Sequence, residues 1–194
     1  MDNTKIKELA LSLVKSDKEL QVVKILKKNS LMSNDKNWRS FGDNENNFST
    51  TGNQQKTGEA ALVEKLINSV DSTLTKECLA QGIDPESTDA PQSITKAVEK
   101  FYEIANGKLT NISSAKRNKI AINSIGMVCT GNLPKEGRPS YSIFDFGEGQ
   151  TPSMVPKTFM SIGASNKIRI PFVQGKFNMG GTGVFRYSSK NACQ

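Results

Sequence analysis

The chain has 194 residues, of which 36% are hydrophobic and 23% are charged, so it is polar but long enough to bury one core. It contains no histidine, which excludes Ser-His-Asp and Cys-His catalysis, histidine metal sites and a phosphoacceptor histidine within this sequence. The net charge is +7, and only basic charges follow Glu148. Such a basic stretch is typical of a protein that binds a phosphate-bearing ligand or nucleic acid.

The cysteines and the apolar runs bear on the compartment. Cys78, Cys129 and Cys193 are unevenly spaced and form no Cys-x-x-Cys pair. This argues against a disulfide framework and a zinc site, and it favours a reducing compartment. No apolar run approaches the roughly 20 residues of a membrane span, and the N-terminus is polar rather than signal-like. We therefore expect a cytoplasmic protein with no membrane partner.

Residues 1–56 are predicted to form an N-terminal helical and irregular extension. Apolar residues at helical spacing predict two short amphipathic helices within residues 4–29. Residues 34–56 are rich in Asn, Asp, Gly, Ser and Gln, which predicts turns. Because this stretch is longer than a plain connection needs, a loop that contacts a ligand or a dimer partner is an alternative.

A long helix is predicted over residues 57–82, and it carries two parallel stripes. Its core-facing apolar residues recur at helical spacing: Val63, Ile67, Val70 and Leu74. Glu64, Asn68 and Asp71 keep the same rhythm one residue later, about 100° around the helix. A carboxylate, an amide and a second carboxylate therefore line the edge of the buried face, where charges are usually avoided.

Further elements follow in chain order. Two prolines mark residues 84–92 as a loop, and Ser93 is predicted to cap a helix that ends at Asn106-Gly107. From Lys119, the pattern predicts one strand through Ile120, Ile122 and Met127-Val128. Alternation over residues 141–146 predicts a second strand, joined to the first as a hairpin by a turn at residues 132–139.

Two glycine-containing stretches follow the hairpin. The second strand ends in Asp145-Phe-Gly147-Glu-Gly149, where an aspartate at a strand end meets glycines that permit close backbone approach. Residues 151–172 are predicted to be loop-like. The run from Gly175 to Gly183 leads into Val184-Phe185, which predicts a loop that feeds a helix N-terminus. Such an end, with its free N–H groups, is an anion site.

Three better-known motifs do not fit. Asp145-Phe-Gly147 matches a protein-kinase metal motif in its letters, but the His-Arg-Asp loop and the glycine-rich loop of kinases are absent. No Gly-x-x-x-x-Gly-Lys-Ser/Thr sequence exists, which excludes a P-loop. The dinucleotide fingerprint fails because Gly147-x-Gly149 continues into Thr-Pro.

Taken together and in order, the motifs resemble those of the gyrase, heat-shock chaperone, histidine kinase and MutL (GHKL) ATPase superfamily. Glu64-x-x-x-Asn68-x-x-Asp71 is similar to its N box, and Asp145-x-Gly147-x-Gly149 to its first glycine box. Residues 161–167 resemble its nucleotide lid, and residues 175–183 its second glycine box.

The resemblance covers about residues 57–190 and implies a fold. Residues 57–194 would form a truncated ATP-binding domain of the α/β class, built as an α+β two-layer sandwich. Its Bergerat-type sheet would be mixed and mostly antiparallel, with helices on one face. The interval from Asp71 to Asp145 is long for the family, and the strands that normally follow the second glycine box are absent. The chain therefore looks like the N-terminal fragment of a larger protein.

The resemblance also implies roles for individual residues. Glu64 would be the general base that orients and deprotonates the attacking water, and Asn68 would bind the Mg²⁺ that bridges the phosphates. Asp145 would accept a hydrogen bond from the adenine amino group, with Gly147 and Gly149 passing close to the base. The phosphate-binding residues would be Lys167, Lys176, Gly180, Gly181 and Gly183. Histidine kinases lack a water-activating glutamate at this position, so Glu64 favours the hydrolysing branches.

We therefore expect an Mg²⁺-dependent ATPase module that couples its nucleotide state to lid closure and to conformational change in a larger protein. Homodimerisation through the ATPase domain, and nucleic acid contacted through the parent protein, are further expectations from the resemblance. Two alternatives stay open. One is an ATP sensor that binds without turnover, and the other is a basic nucleic-acid-binding domain whose glycines only form turns.

Overall fold

The computed structural model describes residues 2–16, 18–47, 56–130, 140–158, 160–161, 167–175 and 180–187. Its helices are α1 (Asn3–Val14), α2 (Glu19–Lys28), α3 (Gly58–Ala80), α4 (Ile94–Tyr102) and α5 (Ser114–Ile122). Its strands are β1 (Ile125–Thr130) and β2 (Ser140–Asp145). Short 3₁₀ segments lie between them, and the last of these is Gly180–Tyr187. The predicted turn at residues 132–139 and most of the predicted lid lie outside the described residues.

Side-chain caps explain where the predicted helices begin. The hydroxyl of Thr57 accepts from the Ala60 N–H at 3.2 Å, and the hydroxyl of Ser93 accepts from the Lys96 N–H at 3.2 Å. Both starts were predicted and are confirmed. The helix that begins at Ser93 ends at Tyr102, earlier than the predicted Asn106-Gly107, because Glu103 takes a left-handed conformation with φ of 54°.

The strand predicted from Lys119 is wrong over its first part. Residues Ser114–Ile122 form α5, and the hydroxyl of Ser113 caps it by accepting from the Lys116 N–H at 3.2 Å. Ile120 and Ile122 alternate over too short a stretch to outweigh this cap and the Ala, Lys and Arg residues around them, which favour a helix. The strand proper starts at Ile125, after a turn.

The predicted hairpin is confirmed. β1 and β2 pair antiparallel, from Ile125 opposite Asp145 to Thr130 opposite Ser140. The described residues therefore form a loose α+β arrangement of helices and one two-stranded sheet. This sheet is smaller than the mixed sheet expected from the GHKL resemblance, and the described part of the chain does not show a Bergerat arrangement.

The core lies between the C-terminal half of α3, helix α4 and residues 170–173. Its buried members are Leu74, Cys78, Ala90, Ala97, Ile170, Phe172 and Val173. The ring of Phe172 packs edge-on against Phe101, with 6.2 Å between the ring centroids. The apolar stripe predicted on α3 is buried only towards its C-terminal end, since Leu74 is 2% exposed whereas Val63 is 52% exposed.

The irregular part of the N-terminal extension reaches the last 3₁₀ segment. The ring of Phe41, before α3, packs edge-on against Phe185, with 5.9 Å between the ring centroids.

Within the described ranges, no helix is both long and apolar enough to cross a membrane. Cys78 and Cys129 are free thiols, and burial raises the pKa of Cys78.

Candidate functional site

Helix α3 is the surface on which the predicted motifs meet. The later parts of the chain contact it in reverse order, from its C-terminal half to its N-terminus: Gly147 lies against Ser72, Gly175 against Asn68 and Asp71, Gly181 against Lys65, and Tyr187 against Gly58. The described residues of both glycine-containing stretches therefore contact the helix that carries Glu64, Asn68 and Asp71.

Asp71 fixes the start of the second glycine-containing stretch. Its carboxylate is fully buried, and both of its oxygens accept from the Gln174 N–H, at 3.0 and 3.1 Å. Its Oδ2 also accepts from the Gly175 N–H at 2.8 Å. A buried carboxylate is tolerated where hydrogen bonds meet its charge, and backbone N–H groups do so here. Asp71 thus holds to α3 a stretch that lies more than 100 residues later.

Gly175 lies so close to α3 that only glycine fits without movement. A Cβ at this position would lie 2.9 Å from the Asn68 Oδ1 and 3.3 Å from the Asp71 Oδ2. The side-chain oxygen of Asn68 therefore faces the second glycine-containing stretch. Mg²⁺ accepts amide oxygens and binds few protein ligands, so Asn68 fits the predicted metal role. The described residues contain no group of three or more Cys, Asp or Glu side chains that could hold a metal ion.

The first glycine-containing stretch packs one helical turn further along α3. Asp145 ends β2, and its Oδ1 accepts from the Gly147 N–H at 3.0 Å. A Cβ at Gly147 would lie 2.6 Å from the Ser72 Cβ, and the Glu148 N–H donates to the Ser72 carbonyl at 3.3 Å. Gly147 is therefore required for packing against the helix. Gly149 has a φ of +66°, which favours glycine for conformational reasons.

Lys65 is a site residue that the sequence analysis missed. Its ammonium donates to the Gly181 carbonyl, inside the second glycine-containing stretch. Partial burial lowers the pKa of Lys65, and the charge of the neighbouring Glu64 opposes this shift. The available signal was spacing, since Lys65 precedes Asn68 by three residues and so shares its face of the helix.

The charged groups near the first glycine-containing stretch affect one another. Desolvation raises the pKa of Glu148, the charge of Lys167 opposes this rise, and the charge of Asp145 adds to it. Lys167 is half-buried and lies within electrostatic range of Glu148.

The remaining predicted site residues are placed as follows. Glu64 is half-buried on α3, one helical turn before Asn68. Gly180, Gly181 and Gly183 lie within the 3₁₀ segment itself, whereas the sequence predicted that they form a loop before it. In a 3₁₀ helix the side chains at i and i+3 eclipse one another, and Gly180 and Gly183 have no side chains at that spacing. Lys176 lies outside the described residues.

No protein-family model, curated protein or solved structure matches the chain.

Proposed function

We propose that the chain is an Mg²⁺-dependent ATP-binding and ATP-hydrolysing module of the GHKL type. The supporting observation is that α3, which carries Glu64 and Asn68, contacts both glycine-containing stretches, at Gly147 and at Gly175. Glycines that served only as turns would have no need to converge on one helix face. A nucleotide site does need this convergence, because base, phosphates and metal must be bound at neighbouring positions.

Asp145 suits recognition of the base. Its Oδ1 is engaged by the Gly147 N–H at 3.0 Å, which fixes the orientation of the carboxylate at the end of β2. The side chain is exposed, so Oδ2 can accept from the amino group of adenine. The phosphates would then extend towards the second glycine-containing stretch and towards Lys167 and Lys176.

Glu64 and Asn68 suit the hydrolytic step. Four residues separate them on α3, which corresponds to a rise of about 6 Å. A bound Mg²⁺ would neutralise charge on the phosphates, and the amide oxygen of Asn68 would hold it. Glu64 would orient a water molecule and accept its proton, as a general base does. The hairpin would be part of a Bergerat-type sheet, and the nucleotide state would control lid closure and conformational change in a parent protein.

The test is ATP hydrolysis by the purified chain with Mg²⁺, compared with Glu64→Gln. We expect Glu64→Gln to retain ATP binding and to lose hydrolysis by about a hundredfold or more, because removal of a general base has effects of that size. Glu59→Gln, an exposed carboxylate in the first turn of the same helix, is the matched control and should leave hydrolysis unchanged.

Two outcomes would contradict the proposal. ATP binding without any hydrolysis that depends on Glu64 would favour the ATP sensor over the ATPase. An absence of ATP binding by the folded chain would contradict both, and steeply salt-dependent DNA binding would then favour the nucleic-acid-binding alternative.

A further inference from the structure

Two charged side chains of α3 hold the second glycine-containing stretch at separate points. The Asp71 carboxylate accepts from the N–H groups of Gln174 and Gly175. The Lys65 ammonium donates to the Gly181 carbonyl. The two side chains are six residues apart on the helix, which corresponds to a rise of about 9 Å.

The signs of the two charges match the backbone groups that they bind. The anion meets N–H donors and the cation meets a carbonyl, so each contact is a charge-assisted hydrogen bond. Asp71 is fully buried and Lys65 is half-buried, so water replaces neither contact easily. Gln174, Gly175 and Gly181 are therefore held at fixed positions on α3.

The contact with Asp71 also limits which backbone groups can bind an anionic ligand. The N–H groups of Gln174 and Gly175 already donate to a buried carboxylate. These two N–H groups are therefore not available to a phosphate. Asp71 itself lies beneath this backbone on the helix, away from solvent.

We propose that Asp71 and Lys65 are positioning residues for the polyphosphate part of the nucleotide. They hold the second glycine-containing stretch on α3 at Gly175 and at Gly181, and they thereby determine the preference for ATP over adenosine. Neither side chain needs to touch the base. This inference rests on the proposed function, because it deepens the role of the same site.

The experiment compares the affinities for ATP–Mg²⁺ and for adenosine by titration calorimetry. In Asp71→Asn, the amide nitrogen cannot accept from a backbone N–H, and in Lys65→Met the stem is retained without the charge. We expect each variant to weaken ATP binding about tenfold, since one charge-assisted hydrogen bond has an effect of this order. Adenosine binding should stay unchanged. Lys76→Met is the matched control, because Lys76 lies on the same face of α3 about three turns further along.

The two possible failures are distinguishable. If the wild-type chain binds no ATP, the proposed function fails, and this inference fails with it. If the wild type binds ATP but neither variant changes the ratio of the affinities for ATP–Mg²⁺ and adenosine, only the positioning role is wrong. Equal weakening of the binding of both ligands leaves this ratio unchanged and counts as the same outcome. If Asp71→Asn does not fold, Lys65→Met decides between these outcomes by the same ratio.

A second readout needs no nucleotide. Amide hydrogen exchange at Gln174 and Gly175 should become faster in Asp71→Asn and stay unchanged in Lys76→Met. Only Asp71→Asn replaces one of the two oxygens that accept from these N–H groups by an NH2 donor. Unchanged exchange at both amides in Asp71→Asn would contradict the positioning role of Asp71.

Discussion

Gly147→Ala tests most simply whether the first glycine-containing stretch packs on α3 as described. The new Cβ would lie 2.6 Å from the Ser72 Cβ and 2.7 Å from the Ser72 carbonyl carbon. The helix backbone cannot turn aside, so the loop must move and lose the 3.3 Å hydrogen bond from the Glu148 N–H to Ser72. Overpacking costs about 1–3 kcal/mol, and the hydrogen bond adds about 1 kcal/mol. We therefore expect a loss of about 2–4 kcal/mol in the free energy of unfolding.

The assay is equilibrium urea denaturation, with a lower midpoint and an unchanged slope as the expected result. Two glycines of the chain serve as controls. A Cβ at Gly149 would meet nothing within 4 Å, so Gly149→Ala should cost only the left-handed strain of about 1 kcal/mol. A Cβ at Gly126 would meet the tip of the Phe144 ring, which can turn away. Gly126→Ala should therefore lower the free energy of unfolding by less than Gly147→Ala does. If Gly147→Ala costs no more than Gly149→Ala, the close approach to Ser72 is wrong.

Two other predictions concern charged groups. Asp71→Ala should lower the free energy of unfolding by about 3–5 kcal/mol, because it leaves two partly buried N–H groups without an acceptor and opens a cavity. Urea denaturation measures this, and a loss under 1 kcal/mol would contradict it. The pKa of Glu148 is raised in the folded chain, so the folded state binds its proton more tightly than the unfolded state does. Its stabilising contribution is therefore complete below the ordinary pKa of 4.5 and is lost as the pH rises through the raised value. Relative to Glu148→Gln, the wild-type chain should lose stability over that range in thermal melts, and a difference that does not change with pH would contradict the assignment.

The helices and the hairpin were predictable where a local signal fixes them. Thr57 and Ser93 cap the helices that follow them, and each cap depends on a residue only three positions away. Alternation correctly identified β2, but Ile120 and Ile122 fit a helix as well as a strand. The cap at Ser113 favours the helix at these residues.

The site was predictable only as a set of motifs. Asp71 binds backbone N–H groups 103 and 104 residues away, and Lys65 binds a backbone carbonyl 116 residues away. Backbone partners have no side-chain signature, so spacing on α3 could single out Lys65 and Asp71 but not the groups that they bind. Gly147 was predicted for close approach to the base, yet in the structure it lies against Ser72 of α3. Packing against a helix and approach to a ligand require the same residue type, and the sequence does not separate them.

The most direct measurement of the central claim is the thermal stability of the chain against ATP–Mg²⁺, for the wild type and for Asp145→Asn. Asparagine keeps a side-chain oxygen that can accept from the Gly147 N–H, so the local turn should survive the substitution. ATP at 100 times its dissociation constant should stabilise the wild type by about 2.7 kcal/mol, and Asp145→Asn should lose this gain. A folded wild-type chain whose stability does not change with ATP–Mg²⁺ would contradict the account.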